Sequence, residues 1–166
     1  MGLFGPPNVA RLDAMGKIDG LLRAARYKKD AAVRDAAREA LTGYLDQLIK
    51  RLQTKNLVQL RTSREALVIV GEPAREKLIF ILREGHLHRR QDAAFVLGEM
   101  RDPAAVGPLC VAIHNPDPLL RLLIVQALVK IGGAEGADTL RKALGDPDPK
   151  VADEARKALR KLGALK

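Results

Sequence analysis

The sequence predicts an all-α fold, a right-handed superhelix of about five stacked helical hairpins, on three observations. First, the chain repeats itself. Slid by 31 residues, MRDPAAVGPLCVAIHNPDPLLRLLIVQALVKIGG falls on AEGADTLRKALGDPDPKVADEARKALRKLG. Asp117 then meets Asp148, Pro118 meets Pro149, Leu120 meets Val151, Ile124 meets Ala155, Ala127 meets Ala158 and Leu128 meets Leu159. A fixed period of roughly 20–50 residues is the mark of a solenoid. Second, apolar residues recur at the i, i+3, i+4, i+7 spacing of one helix face. Third, the connections between these segments are too short to hold strands.

In chain order, residues 1–8 read as a lead-in, with Asn8 an N-cap for a short helix from Val9. Residues 9–166 read as a single repeat domain, its hairpins near 9–44, 45–71, 72–100, 101–132 and 133–163. In the first, Ile18, Leu21, Leu22 and Ala25 mark one helix, and Val33, Ala36, Ala37, Ala40 and Leu41 the other. In the second, Leu45, Leu48, Ile49 and Leu52 are followed by Leu60, Ser63, Ala66, Leu67 and Val70. Its turn lacks the Asp found elsewhere, and Gln59 stands where other copies place Val or Leu, so its register stays open. The third runs through Leu78, Ile79 and Leu82 to Ala93, Val96, Leu97 and Met100. Leu41, Leu67, Leu97, Leu128 and Leu159 are the reference leucines of the five copies.

The recurring residues have mechanical work to do. Asp30, Asp117 and Asp148 can accept from the unpaired first-turn amides of each second helix, a cap worth about 1 kcal/mol. Proline at the turn cannot continue the preceding helix and pre-sets the next. Each hairpin leaves apolar faces that only its neighbour covers, so stability resides in the stack. The charged stripe of KALRKLGALK suits a terminal cap, and the expectation is that the array ends there.

Composition narrows the class. Hydrophobic residues are 47 %, with three Phe, two Tyr and no Trp, a core of small aliphatics. No apolar run approaches the roughly 18–20 residues of a membrane span, and the first residues lack the pattern of a secretory signal. Cys110 stands alone, which favours a reducing, cytoplasmic setting. Net charge is +9; residues 1–65 carry 13 basic and 7 acidic side chains, so the excess is concentrated there. Such a balance fits an acidic protein partner, and it admits nucleic acid.

At DPLLR and DAAVR, each followed by an Ala-rich helix, the sequence resembles the HEAT repeat. The string Pro103, Ala105, Val106, Pro108 and Leu109 is similar to the first helix of the HEAT-like repeat named for phycobilisome lyases, found in bacteria and archaea. The resemblance covers roughly residues 9–163. It implies the solenoid fold, with second helices lining a concave surface, and leaves function open among scaffolds, assembly factors, lyases and a few enzymes.

Two chemistries are open to the basic residues. Arg34 and Arg121 follow Asp30 and Asp117 by four residues, and can either form an Asp–Arg ladder between repeats or meet phosphate or carboxylate on the concave face. Arg38, Arg61, Arg64, Arg89, Arg90, Arg156 and Lys157 complete the set expected to meet a partner there. His86, His88, Cys110 and His114 are the weak candidates for a metal; no acidic residue or CxxC completes a zinc set, so no metal and no cofactor is expected. The iron-dependent deoxyhypusine hydroxylases within the same superfamily rely on His-Glu pairs, and no such dipeptide occurs. There is no Gly-rich phosphate loop and no GxSxG, and Ser63, the only serine, falls on a core position. The expectation is a monomeric, non-catalytic scaffold that docks an acidic or amphipathic protein segment, with no membrane partner. Sequence-nonspecific nucleic-acid binding and a phycobilin-lyase-like or assembly role are the alternatives.

Overall fold

Apolar faces repeated at helical spacing leave the backbone one economical solution, and the chain takes it throughout. The computed structural model describes residues 6–164, so residues 1–5 of the expected lead-in and the last two residues of the expected terminal cap lie outside the described residues. Among the described residues there are eleven α-helices and no strand. They are α1 (Val9–Ala14), α2 (Ile18–Ala24), α3 (Ala31–Gly43), α4 (Leu45–Arg51), α5 (Leu57–Val70), α6 (Glu72–Glu84), α7 (Leu87–Met100), α8 (Val106–Ala112), α9 (Pro118–Ile131), α10 (Ala134–Ala143) and α11 (Pro149–Lys161). A 3-10 turn over Pro103–Ala105 leads into α8.

The chain divides into two compact units, Met1–Ala74 and Arg75–Lys166. In the first, α2 pairs with α3 and α4 with α5. The second helices α3 and α5 pack together, and α1 lies against α2 and α3. In the second, α8 pairs with α9 and α10 with α11; α9 packs against both α7 and α11, while α8 and α10 form the other layer. Each unit is thus a short stack of hairpins that bury one another's faces. The five reference leucines, Leu41, Leu67, Leu97, Leu128 and Leu159, are all at most 1 % exposed, and each contributes roughly 1.5–3 kcal/mol by burial.

The caps follow the same ruler. Eleven residues before each reference leucine stand Asp30, Asn56, His86, Asp117 and Asp148. Asp30, Asp117 and Asp148 accept from first-turn amides, and so does Asn56, from Val58 and Gln59 at 3.0 and 3.1 Å. The amide oxygen of Asn56 replaces the missing carboxylate and fixes the second hairpin's register. His86 occupies the position without capping through its side chain. Four residues after the reference leucines, the chain turns at positive φ: Gly71, Arg101, Gly132 and Gly163. Arg101, at φ 53°, adopts there a conformation that costs an L-residue about 1 kcal/mol. Where α7 crosses α9, a Cβ on Gly98 would lie 2.7 Å from Cα and Cβ of Ala127, so only glycine admits so close an approach.

Candidate functional site

Helix ends expose carbonyls with partial negative charge, and a guanidinium satisfies several of them at once. Seven residues before the reference leucines Leu41, Leu97 and Leu128 stand Arg34, Arg90 and Arg121, and all three are used this way. Arg34 Nη1 donates to the carbonyls of Tyr27 and Lys28 at 3.1 and 3.4 Å. Arg90 Nε donates to that of Leu82 at 2.8 Å. Arg121 Nη1 donates to Asn115 and Pro116, both at 2.9 Å. Its Nε and Nη2 also reach both oxygens of Asp146, each at 2.8 Å.

The Arg121–Asp146 pair lies deep, with side chains 12 % and 7 % exposed. The hydrogen bonds from Arg121 hold the Asp146 carboxyl below its ordinary range, against the opposing effect of burial. Asp146 also accepts from the Asp148 amide at 2.9 Å. A second pair, Arg75–Asp102 at 2.7 Å, lowers Asp102 in the same manner. Gln91 Nε2 donates to Asp117 at 3.0 Å and ties a third carboxylate into the same unit.

The remaining basic candidates differ from these. Arg38, Arg61 and Lys157 are exposed, with Arg61 4.0 Å from Glu65. Arg156 is exposed and paired with Asp153 on its own helix, while Arg64 is half-buried and engaged. Arg89 stands eight residues before Leu97, where Val33, Leu120 and Val151 stand in other hairpins, and its Nε is sealed in without a partner.

A groove of about 590 Å³ runs between α8 and α10, lined by Cys110, Val111, His114, Arg121, Lys142 and Asp146 among others. His114 is exposed and Cys110 half-buried. His86 and His88 are exposed at the start of α7, with His88 Nδ1 3.3 Å from Gln91 Oε1. Among the described residues, no three His, Cys, Asp or Glu side chains gather where they could hold a metal ion.

Another cleft escaped the sequence reading, which looked for cations on second helices. It lies in the unit Met1–Ala74 and is lined by Lys17, Arg23 and Arg51 from the first-helix layer and by Gln59 and Thr62 of α5. No spacing rule joins Lys17 to Arg51; only the packing of α2 with α5 and of α4 with α5 does.

Comparison with known proteins bears on both fold and activity. Deoxyhypusine hydroxylase of Gallus gallus is 36 % identical over 75 residues, which are 44 % of this chain and 25 % of that protein. The match therefore spans about a quarter of the relative's length. The solved structure of human deoxyhypusine hydroxylase has a TM-score of 0.57 at 18 % identity, covering 92 % of this chain and 75 % of that one. A designed armadillo repeat protein in complex with a (KR)4 peptide has a TM-score of 0.51 at 16 % identity, over 94 % and 86 %. These two similarities establish the fold, an all-α helical-repeat architecture.

The relatives named by sequence are enzymes. That finding overturns the expectation of a non-catalytic scaffold. The expectation failed because a missing His-Glu dipeptide was taken as a missing activity, whereas 36 % identity over 75 residues needs no such motif. No described helix is long and apolar enough to cross a membrane. The sequence model for HEAT repeats matches residues 75–160, more than half of the chain, and the chain belongs to the HEAT-repeat family.

Proposed function

We propose that this chain works in a hydroxylase reaction of the kind named for its relatives, as helical-repeat structure that engages a protein bearing deoxyhypusine. The observation that carries the reading is the 36 % identity over 75 residues to an enzyme of that name. The fold agrees with it, since the stacked hairpins of each unit offer helix surface to a protein substrate. The exposed cations Arg38 and Arg61 on second helices of Met1–Ala74 suit a substrate whose surface is acidic. Our finer assignment of the repeats to the phycobilisome-lyase type rests on Pro103, Ala105, Val106, Pro108 and Leu109 alone.

The iron that the resemblance attaches to such hydroxylases does not fit these residues. His86, His88 and His114 are followed by Leu, Arg and Asn rather than Glu, and no donor cluster forms among the described residues. No step is therefore drawn through a metal, and the test is put to substrate engagement. Competition tests it. Added to a full-length hydroxylase relative turning over a deoxyhypusine-bearing protein, this chain is expected to raise the apparent KM and leave kcat unchanged. An unchanged KM at a large excess of the chain overturns the proposal.

A further inference from the structure

The cleft in Met1–Ala74 is built for a ligand the family assignment does not supply. It encloses about 380 Å³, within the roughly 300–1,000 Å³ of small-ligand sites. Its rim carries Lys17 before α2, Arg23 on α2 and Arg51 at the end of α4, against one carboxylate, Asp19. Among the described residues, no hydrogen bond or ion pair engages the side chains of Lys17, Arg23 or Arg51. Some basic side chains of the same unit do find partners: Arg34 takes turn carbonyls, and Arg26 and Arg61 share Glu65. Around this cleft three cations from the α2 and α4 segments stand without one.

A second, independent observation points the same way. Thr62 lines this cleft and is only 8 % exposed, yet its hydroxyl makes no hydrogen bond among the described residues. A helical threonine ordinarily turns its hydroxyl onto a carbonyl one turn back, as Thr42 does onto Arg38 at 2.9 Å. Unlike the sealed hydroxyl of Ser63, that of Thr62 reaches solvent, so it stands open to a ligand in the cleft. The Gln59 amide stands on the same wall. Cations and neutral donors thus line one cleft, a combination that suits an anion.

We propose that this cleft binds a small phosphate-bearing ligand. Arg23 and Arg51 take phosphoryl oxygens, Lys17 neutralises further charge, and the Thr62 hydroxyl donates from the floor. Guanidinium matches phosphoryl geometry with paired donors, which favours phosphate over an isolated carboxylate. The inference is independent of the hydroxylase reading, and its test leaves that reading untouched.

The test is an amide-resonance titration of the full chain with inorganic pyrophosphate, orthophosphate and citrate at constant ionic strength. Saturable shifts at Lys17, Arg23 and Thr62, with pyrophosphate or orthophosphate binding more tightly than citrate, are expected. Whichever phosphate binds more tightly tells whether one or two phosphoryl groups are held. Arg23→Gln with Arg51→Gln should weaken phosphate binding at least about tenfold in a chain whose spectrum stays dispersed. Thr62→Val should weaken it with the cations intact, which diffuse surface charge would not produce. Citrate binding as tightly as either phosphate overturns the proposal, as do shifts spread over Arg38 and Arg156, or variants that bind like the parent.

Discussion

Seven residues before its reference leucine, the hairpin of α8 and α9 carries Arg121, locked onto Asp146 and two turn carbonyls; the hairpin of α4 and α5 carries Leu60. In the unit Arg75–Lys166 several charges pair with one another, through Arg75–Asp102, Arg121–Asp146 and Glu99–Lys130, the last ammonium also lying 5.1 Å from the Phe95 ring centroid. In Met1–Ala74, Lys17, Arg23 and Arg51 stay unspent around a cleft. The same kind of hairpin therefore serves two ends: Arg121 becomes a strut, while Lys17, Arg23 and Arg51 are free to meet a ligand.

The harshest way to break this comparison is Leu128→Asp. It buries a charge where Leu128 is 1 % exposed, and a loss of at least about 4 kcal/mol is expected. Thermal melting followed by circular dichroism should show Arg75–Lys166 unfolded, and a normal melt would refute the packing described. Arg121→Ala comes next. It strands Asp146 and should cost about 3 kcal/mol, against about 1 kcal/mol for Arg34→Ala, which loses only carbonyl contacts. Equal losses in denaturant titrations would erase the distinction between strut and turn clamp.

Acid sharpens the comparison further. The carboxyls of Asp146 and Asp102 are lowered in the folded chain, so folding holds them deprotonated. Their contribution is whole above the unfolded carboxylate value near about pH 4. It is lost as pH falls through the lower folded values. Denaturation series across that range should steepen below about pH 4 in the parent and flatten in Asp146→Asn; an unaltered acid limb would deny the pair its role. Smallest of all is Ser63→Ala. Ser63 is 0 % exposed with an unpartnered hydroxyl, at the place held by Ala37, Ala93 and Ala155 in other hairpins. Removing that hydroxyl should leave stability unchanged or raise it by up to about 1 kcal/mol; a clear loss would reveal a hidden partner.

Much of the fold could be read in the sequence because its causes are local. A cap at Asp30, Asp117 or Asp148 and a leucine eleven residues later are visible in one helix at a time. Asn56 shows where reading by residue type fell short: the absence of Asp left the register open, although an amide oxygen caps equally well. The fate of the arginines was legible only as a choice between strut and contact, because partners such as Asp146 lie 25 residues away in the chain. The cleft at Lys17, Arg23 and Arg51 was invisible, being made by helix packing rather than by spacing. The superfamily shared with the hydroxylases was legible from the repeat, but an enzyme reading was set aside because a His followed by Glu is not here.

The affinity of this chain for one protein in two forms, with deoxyhypusine and with the unmodified lysine, tests the functional account most directly. Calorimetry at matched salt is expected to give a dissociation constant lower by about tenfold for the deoxyhypusine form, a difference of about 1.4 kcal/mol. Equal affinities, or no binding of either form, would contradict it.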